Sequence, residues 1–359
     1  MYFCQPIRET IFTMQYFAER LKSARKMKGW SLQDLADHLS TAVSRQALSK
    51  YELGTMLPSG EVLLSLAKAL EVQPDYFLRQ PTINLPTVEF RKKSTLPVKQ
   101  VDSIKETVKH YLERYLETET LLNIESDFHN PLKSIKVLNE AAVDHLVIKL
   151  LAEWNLGYNP IPNVIEMLED NGIRVLEIEA SEAFDGLSTY VGTIPVVVLN
   201  KDYSVERKRF TALHELGHLI LNIADGADKE KICHTFAGAM LLPDDCLEML
   251  LGKKRNNIAL GELVAIKEQY GISVQAIMMR AVHKKIVDKN AATRFWRSIS
   301  GNKKETGLGA FPGKEKSYRF ERLLFRLAAE EVVSMSKAAN LAGMRLAEFR
   351  DKLEAREEA

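Results

Sequence analysis

From Tyr16 onward apolar residues fall at helical spacing, with Phe17, Leu21 and Ala24 on one face, until Gly29 breaks the run and Ser31 caps a new one in SLQDLADHL. After STAV, Ser44 caps SRQALSKYE, Gly54 ends it, and Pro58-Ser59 opens EVLLSLAKALEV before the closing Asp75-Tyr76-Phe77. This pattern predicts five short helices between residues 16 and 80, sharing one small core that includes Leu35, Leu48, Leu66 and Leu70. Residues 81–100 hold three prolines and no helical period, which predicts an extended linker. Helical periodicity resumes over 101–126 and 134–156. After Pro162 comes a helix ended by Gly172 that leads into a strand, and GLSTYVGTIPVVVLN then reads as two strands, the second apolar enough to be buried. RKRFTALHELGHLILN is an amphipathic helix, and EKICHTFAGAMLLP reads as a second helix packed on it. Farther on, Gly271 and Ser273 separate two helices within 262–286, the glycine-rich stretch 301–316 reads as a mobile loop, and a helical pair from Tyr318 to about Glu354 has helix-turn-helix character. The first 14 residues lack the apolar length of a signal peptide and are read as an extension or mis-assigned start outside the fold.

Composition narrows the class. With 46% hydrophobic and 27% charged residues in a chain of 359, a soluble multi-domain protein is expected, and disorder is excluded. Cys4, Cys233 and Cys246 are too few for a disulfide framework, which implies a reducing, cytoplasmic location, and no apolar run has membrane-spanning length. The net charge of +1 conceals an asymmetry, because residues 15–100 carry 13 Lys and Arg against 8 Asp and Glu whereas residues 101–359 carry 35 against 39. A basic front end is the electrostatic footprint that a DNA-binding region requires.

LADHL...VSRQALSKYELG followed by LPSGEVLLSLAKALEV...DYF resembles the XRE family of helix-turn-helix domains, over residues 16–80. The resemblance implies a five-helix, lambda-repressor-like bundle at 15–80 that binds double-stranded operator DNA. On the family pattern Ser44, Arg45, Gln46, Ser49 and Lys50 form the outward face of the recognition helix, and Gln33 suits a phosphate contact. The stretch between Leu39 and Ser44 is longer than the family's usual turn. In isolation, Arg45 and Lys50 would read as a solvated helix face.

The most informative residues are His214-Glu215-Leu216-Gly217-His218. Residues four apart share one helical face, so His214 and His218 can direct imidazole nitrogens at a single zinc ion while Glu215 stands beside it as general base. A third protein ligand has to come from elsewhere. His110, His129 and His145 have no ligand spacing. Cys233 reads as ordinary packing in preference to a soft ligand, and Tyr190 is a candidate oxyanion donor from a strand.

The two separated blocks RKRFTALHELGH and FAGAMLLP resemble the ImmA/IrrE metallopeptidase family, and the resemblance extends from about residue 140 to about 285. In that family a Glu six positions before the Phe completes a His-His-Glu zinc site, which implies that Glu230, six before Phe236, is the third ligand. His234 stands where relatives usually carry Asn, and is open to roles behind the metal, on the metal or on substrate.

Together these readings predict a mainly α protein with a small β-sheet. The helix-turn-helix domain at 15–80 is followed by a linker at 81–100, an α+β zincin-like metallopeptidase domain at 101–286 and a helical C-terminal region at 287–359. The resemblance implies a homodimeric regulator, associated with repressor cleavage, stress responses or toxin-antitoxin loci, that hydrolyses a specific repressor or antitoxin. Two alternatives stand beside it: a non-proteolytic regulator whose zinc domain is a sensor or dimerisation module, and a repressor that cleaves its own linker.

Overall fold

The computed structural model describes residues 5–83, 96–125 and 128–357, and is mostly helical with two small sheets. The chain divides into two compact units, Met1–Glu125 with Arg319–Ala359, and Ser126–Tyr318. Among the described residues, no helix is long and apolar enough to cross a membrane.

The first unit opens with α1 (Gln5–Met27), which starts inside the stretch that the sequence reading set aside, and continues through α2 (Leu32–His38), α3 (Arg45–Glu52), α4 (Gly60–Leu70) and a 3-10 turn at Pro74–Leu78. Serines at 31, 44 and 59 cap α2, α3 and α4, each hydroxyl accepting from a backbone N–H that the first helical turn leaves over. Phe17, Leu21, Leu35, Leu48, Leu66, Leu70 and Phe77 close one core. A bidentate pair from Arg25 to Glu52, at 2.6 and 2.8 Å, ties α1 to α3.

The next helix, α5 (Val98–Leu121), begins within the expected linker, of which residues 84–95 lie outside the described residues. It packs on α1 instead of opening the second domain, because Ile104, Val108, Leu112 and Tyr115 form a buried stripe that only a partner helix can cover. Arg20 of α1 donates to Glu113 of α5 at 2.5 Å, with both side chains buried. The expected boundary at residue 100 therefore moves to residue 125.

Near the start of the second unit, helical periodicity predicts a helix over about 134–156. Instead β1 (Lys136–Val137) and a 3-10 turn precede α6 (Val143–Glu153), followed by α7 (Val164–Asp170), β2 (Arg174–Ile178), β3 (Gly186–Val191) and β4 (Ile194–Asn200). β4 lies between β2, which it pairs in parallel, and β3, which it pairs antiparallel through a tight turn at Gly192 (φ +59°). Then come α8 (Val205–Ile220), β5 (Asn222–Ile223), α9 (Lys229–Leu241), α10 (Asp244–Leu251), α11 (Leu260–Tyr270), α12 (Val274–His283) and α13 (Lys289–Ser298), with β5 pairing β1 in parallel. Gly271 in the left-handed region ends α11, and the Ser273 hydroxyl caps α12.

The stretch 301–316 is held in place by two buried carboxylates, contrary to the mobile loop expected there. Glu305 pairs with Lys267 at 3.0 Å and accepts from the Val274 and Gln275 amides at the start of α12. Glu315 pairs with Arg209 of α8 at 2.8 Å, both side chains being 0% exposed. Glycine content signals backbone freedom, but the carboxylates between the glycines decide whether the loop is anchored.

The C-terminal stretch divides. Residues up to Tyr318 belong to the second unit, whereas α14 (Arg319–Ala329), α15 (Met335–Ala342) and α16 (Leu346–Glu357) belong to the first, where α14 and α15 pack on α5. Phe320 stacks on Tyr115 at 4.9 Å, and Arg319 reaches Glu119 at 2.5 Å.

Candidate metal centre and nucleic-acid face

α8 and α9 lie against each other at Gly217, where an added Cβ would stand 3.2 Å from Phe236 and 3.3 Å from the Cys233 sulfur. This close approach brings Glu230, in the first turn of α9, over the two histidines of α8. His214 Nε2 and His218 Nε2 are 3.0 Å apart, and the Glu230 carboxylate spans them, with Oε2 3.3 Å from His214 and Oε1 3.3 Å from His218. Zinc bonds of about 2.0–2.2 Å in a tetrahedron place ligand atoms about 3.3–3.6 Å apart. The three separations are those of one such shell, slightly contracted, so the donor set fits zinc. Two imidazole nitrogens and a carboxylate are also the ligand types a catalytic zinc takes. Glu230 is 59% exposed along its side chain, so the cluster is open to solvent on that side.

The elements behind the cluster orient it. Cys233, fully buried on α9, places its sulfur 3.1 Å from His218 Nδ1. For Nε2 to present a lone pair to a metal the ring proton has to sit on Nδ1, where it donates to this sulfur. Cys233, packed as expected, thus also contacts one imidazole of the pair. Ser188 of β3, absent from the sequence reading, donates to Glu215 Oε2 at 2.7 Å. The signal for it was available in the alternation Gly186, Ser188, Tyr190, which lays one face of β3 along α8. At Gly186 an added Cβ would collide with Thr211 Cγ2 at 2.8 Å and Val198 O at 2.9 Å, so glycine lets strand and helix approach.

Tyr190 is placed differently from its expected role. Its hydroxyl donates to the Leu219 carbonyl at 3.1 Å, and burial pushes its pKa up. A phenol has one proton to donate, so service to an oxyanion would require breaking that bond. His234 is exposed, and its ring lies 4.3 Å from that of His214 and 5.8 Å from that of Phe210. Its ligand atom lies within 4.8 Å of those of His214 and Glu230, so a second triad shares two members with the first.

In the first unit, α3 buries Leu48 and Tyr51 and exposes Ser44, Arg45, Gln46 and Lys50, with Ser49 half-buried. The Ser44 hydroxyl is occupied by the Ala47 amide at 3.2 Å. Gln33, exposed on α2, donates to Asp37 one turn later at 2.8 Å. The long turn at 39–44 is tied to α4 by Ser40 and Ser65, whose hydroxyls are 2.9 Å apart.

Comparison with known proteins finds matches in both regions. Residues 21–77 match the family model described as helix-turn-helix, and residues 168–282 match that described as the IrrE N-terminal-like domain. Two HTH-type transcriptional regulators of Bacillus subtilis (strain 168) are similar over 63 residues, or 18% of this chain. The SPbeta prophage-derived YonR is 41% identical over 56% of its own length. YqaE is 38% identical over 53% of its length. The chain thus spans about half the length of the curated relatives it matches. From its two matched regions, this chain carries an N-terminal helix-turn-helix domain of the XRE type and, behind it, an IrrE N-terminal-like domain of the M78 peptidase family.

Proposed function

We propose that the chain is a DNA-binding regulator whose IrrE-like domain is a zinc metalloendopeptidase acting on one regulatory protein of the repressor or antitoxin type. The observation that carries this reading is the convergence of His214, His218 and Glu230 within 3.3 Å, with Glu215 held beside them by Ser188. His214, His218 and Glu230 hold the metal. Zinc, when bound, supplies Lewis acidity that brings the pKa of a bound water toward neutrality. Glu215 accepts a proton from the attacking water and delivers it to the leaving amine, and Ser188 fixes which carboxylate oxygen stays free to do so. Among the described residues β3 is an edge strand of its sheet, so its open side offers backbone groups to an extended peptide.

The exposed Arg45, Gln46 and Lys50 face the major groove of double-stranded operator DNA, with Ser44, Ser49 and Gln33 beside the backbone. The names of the two similar regulators support this half of the reading. A homodimer matches a two-fold operator. The deciding experiment incubates the zinc-loaded protein with candidate repressors and antitoxins. Wild type cuts one of them at a single site, and Glu215→Gln keeps its zinc and cuts none. Cleavage by that variant would remove the mechanism.

His234 favours a second reading. As a fourth protein ligand it closes the position that water needs, leaving a metal-dependent sensor or dimerisation module without proteolysis. Zinc absorption spectroscopy separates the two, since three coordinated imidazoles in wild type and two in His234→Asn support the sensor, and two in both support the peptidase.

A further inference from the structure

Within the first unit, a cavity of about 240 Å³ is lined by side chains from α1, the 3-10 turn and the residues after it, α5 and α15. Four cations, Arg20, Arg79, Arg114 and Lys337, face two carboxylates, Glu113 and Glu117. Three of the cations have anionic partners: Arg20 pairs with Glu113 at 2.5 Å, Arg79 with Asp75 at 2.9 Å and Lys337 with Glu117 at 2.5 Å. Glu113 is also occupied on its other oxygen by the Thr82 amide at 3.2 Å.

Arg114 differs. Among the described residues it forms no ion pair, its Nη1 reaches only the Leu341 carbonyl at 3.3 Å, and its buried Nε has no hydrogen-bond partner. Room for it is made by Gly343, where a Cβ would collide with Nη1. A buried guanidinium with an unmet donor is costly unless an oxyanion completes it. Its planar fork suits the paired oxygens of such an anion. Burial above all, with the nearby Arg114, Arg20 and Arg79 adding to it, pulls His110 down to about 3, which leaves its ring neutral against Tyr76.

We propose that this cavity binds a small dianion of the phosphate class, with Arg114 as its principal contact and Lys337 at its rim. Arg114, the one lining cation without a carboxylate partner among the described residues, supplies the uncompensated charge, and the volume is below that of pockets for drug-sized ligands. Because the lining comes from α1, the 3-10 turn, α5 and α15, occupancy joins the helix-turn-helix core to the C-terminal helices and stabilises this unit.

The test titrates inorganic phosphate into the full-length protein by calorimetry and thermal unfolding, against chloride at matched pH and ionic strength. Saturable one-site binding that raises the unfolding temperature is expected with phosphate and not with chloride. Arg114→Met should weaken binding at least tenfold, and Glu117→Gln, which removes a negative charge from the lining, should tighten it severalfold. Glu117→Gln carries the test by itself should the arginine variant fail to fold. Tighter binding of glycerol phosphate than of inorganic phosphate assigns the site to a phosphorylated small molecule, and equal binding assigns it to free phosphate. Equal effects of phosphate and chloride, or a phosphate affinity unmoved by both substitutions, would overturn the proposal.

Discussion

Ser188 on β3 donates its hydroxyl proton to Glu215 on α8 across 2.7 Å. This contact is the middle member of a series in which Gly186 abuts Thr211, Ser188 meets Glu215 and the Tyr190 hydroxyl reaches the Leu219 carbonyl. Steps of two along a strand advance about 6.6 Å and steps of four along a helix about 6 Å, so strand and helix stay in register over the whole run. Ser188→Ala removes the hydrogen bond that fixes the Glu215 carboxylate. In the peptidase reading kcat/KM then falls by roughly tenfold, since groups supporting a site typically contribute that much or more, while zinc content by metal analysis stays the same.

Cys233 gives a prediction about affinity. Its sulfur holds His218 Nδ1 at 3.1 Å from a buried position, and partners of this kind typically contribute about 10–100-fold to metal affinity. Cys233→Ala should weaken zinc binding by roughly tenfold in a chelator competition. Glu230→Ala, which removes one of the three converging donors, should weaken it further. Equal affinities for wild type and Cys233→Ala would show that the thiol does not orient the imidazole.

The pair Arg209–Glu315 predicts stability in place of chemistry. Arg209 also donates to the carbonyls of Ile161, Tyr270 and Gly271, so this one guanidinium joins α8 to three other segments. Removing one partner strands the other charge in a fully buried place, at a cost of about 3–5 kcal/mol. Glu315→Ala should therefore lower the urea midpoint of the second unit, followed by a tryptophan signal from Trp154 or Trp296. A midpoint within error of wild type would mean that water reaches the pair.

For the helix-turn-helix face, the expectation is electrostatic. Arg45 and Lys50 are exposed, and neither is paired with a carboxylate among the described residues. If each neutralises one phosphate, Arg45→Ala and Lys50→Ala each reduce the slope of log affinity against log salt by about one. A side chain that reads a base edge additionally relaxes specificity, by about 1–3 kcal/mol at its position. Filter binding over a salt series, on operator and random duplexes, measures both effects. An unchanged slope for both variants would place the DNA elsewhere on the unit.

Periodicity and capping carried far in this chain, because they act within a few residues of sequence. Ser31, Ser44 and Ser59 cap helices where expected, Gly172 and Gly271 lie in the left-handed backbone region where helices end, and the hairpin of β3 and β4 follows its alternation. Composition misled where it stood in for tertiary contacts. Prolines near residue 100 resembled a domain boundary, yet the apolar stripe of α5 needed α1. Glycines at 301–316 resembled mobility, yet Glu305 and Glu315 found buried cations.

By itself, then, the sequence determined two functional blocks in order, a helix-turn-helix segment and a histidine pair four residues apart on one helix, since spacing on a helix is a local property. Tertiary structure decided what surrounds them. Glu230 meets the histidines because glycine at 217 lets α9 close on α8, and Ser188 meets Glu215 because glycine at 186 lets β3 do the same. Helices α14 and α15 return to the first unit because they pack on α5, nearly two hundred residues away, and α16 follows by packing on α15. Such pairings depend on the shape and charge of both partners at once, and no single stretch of chain contains both.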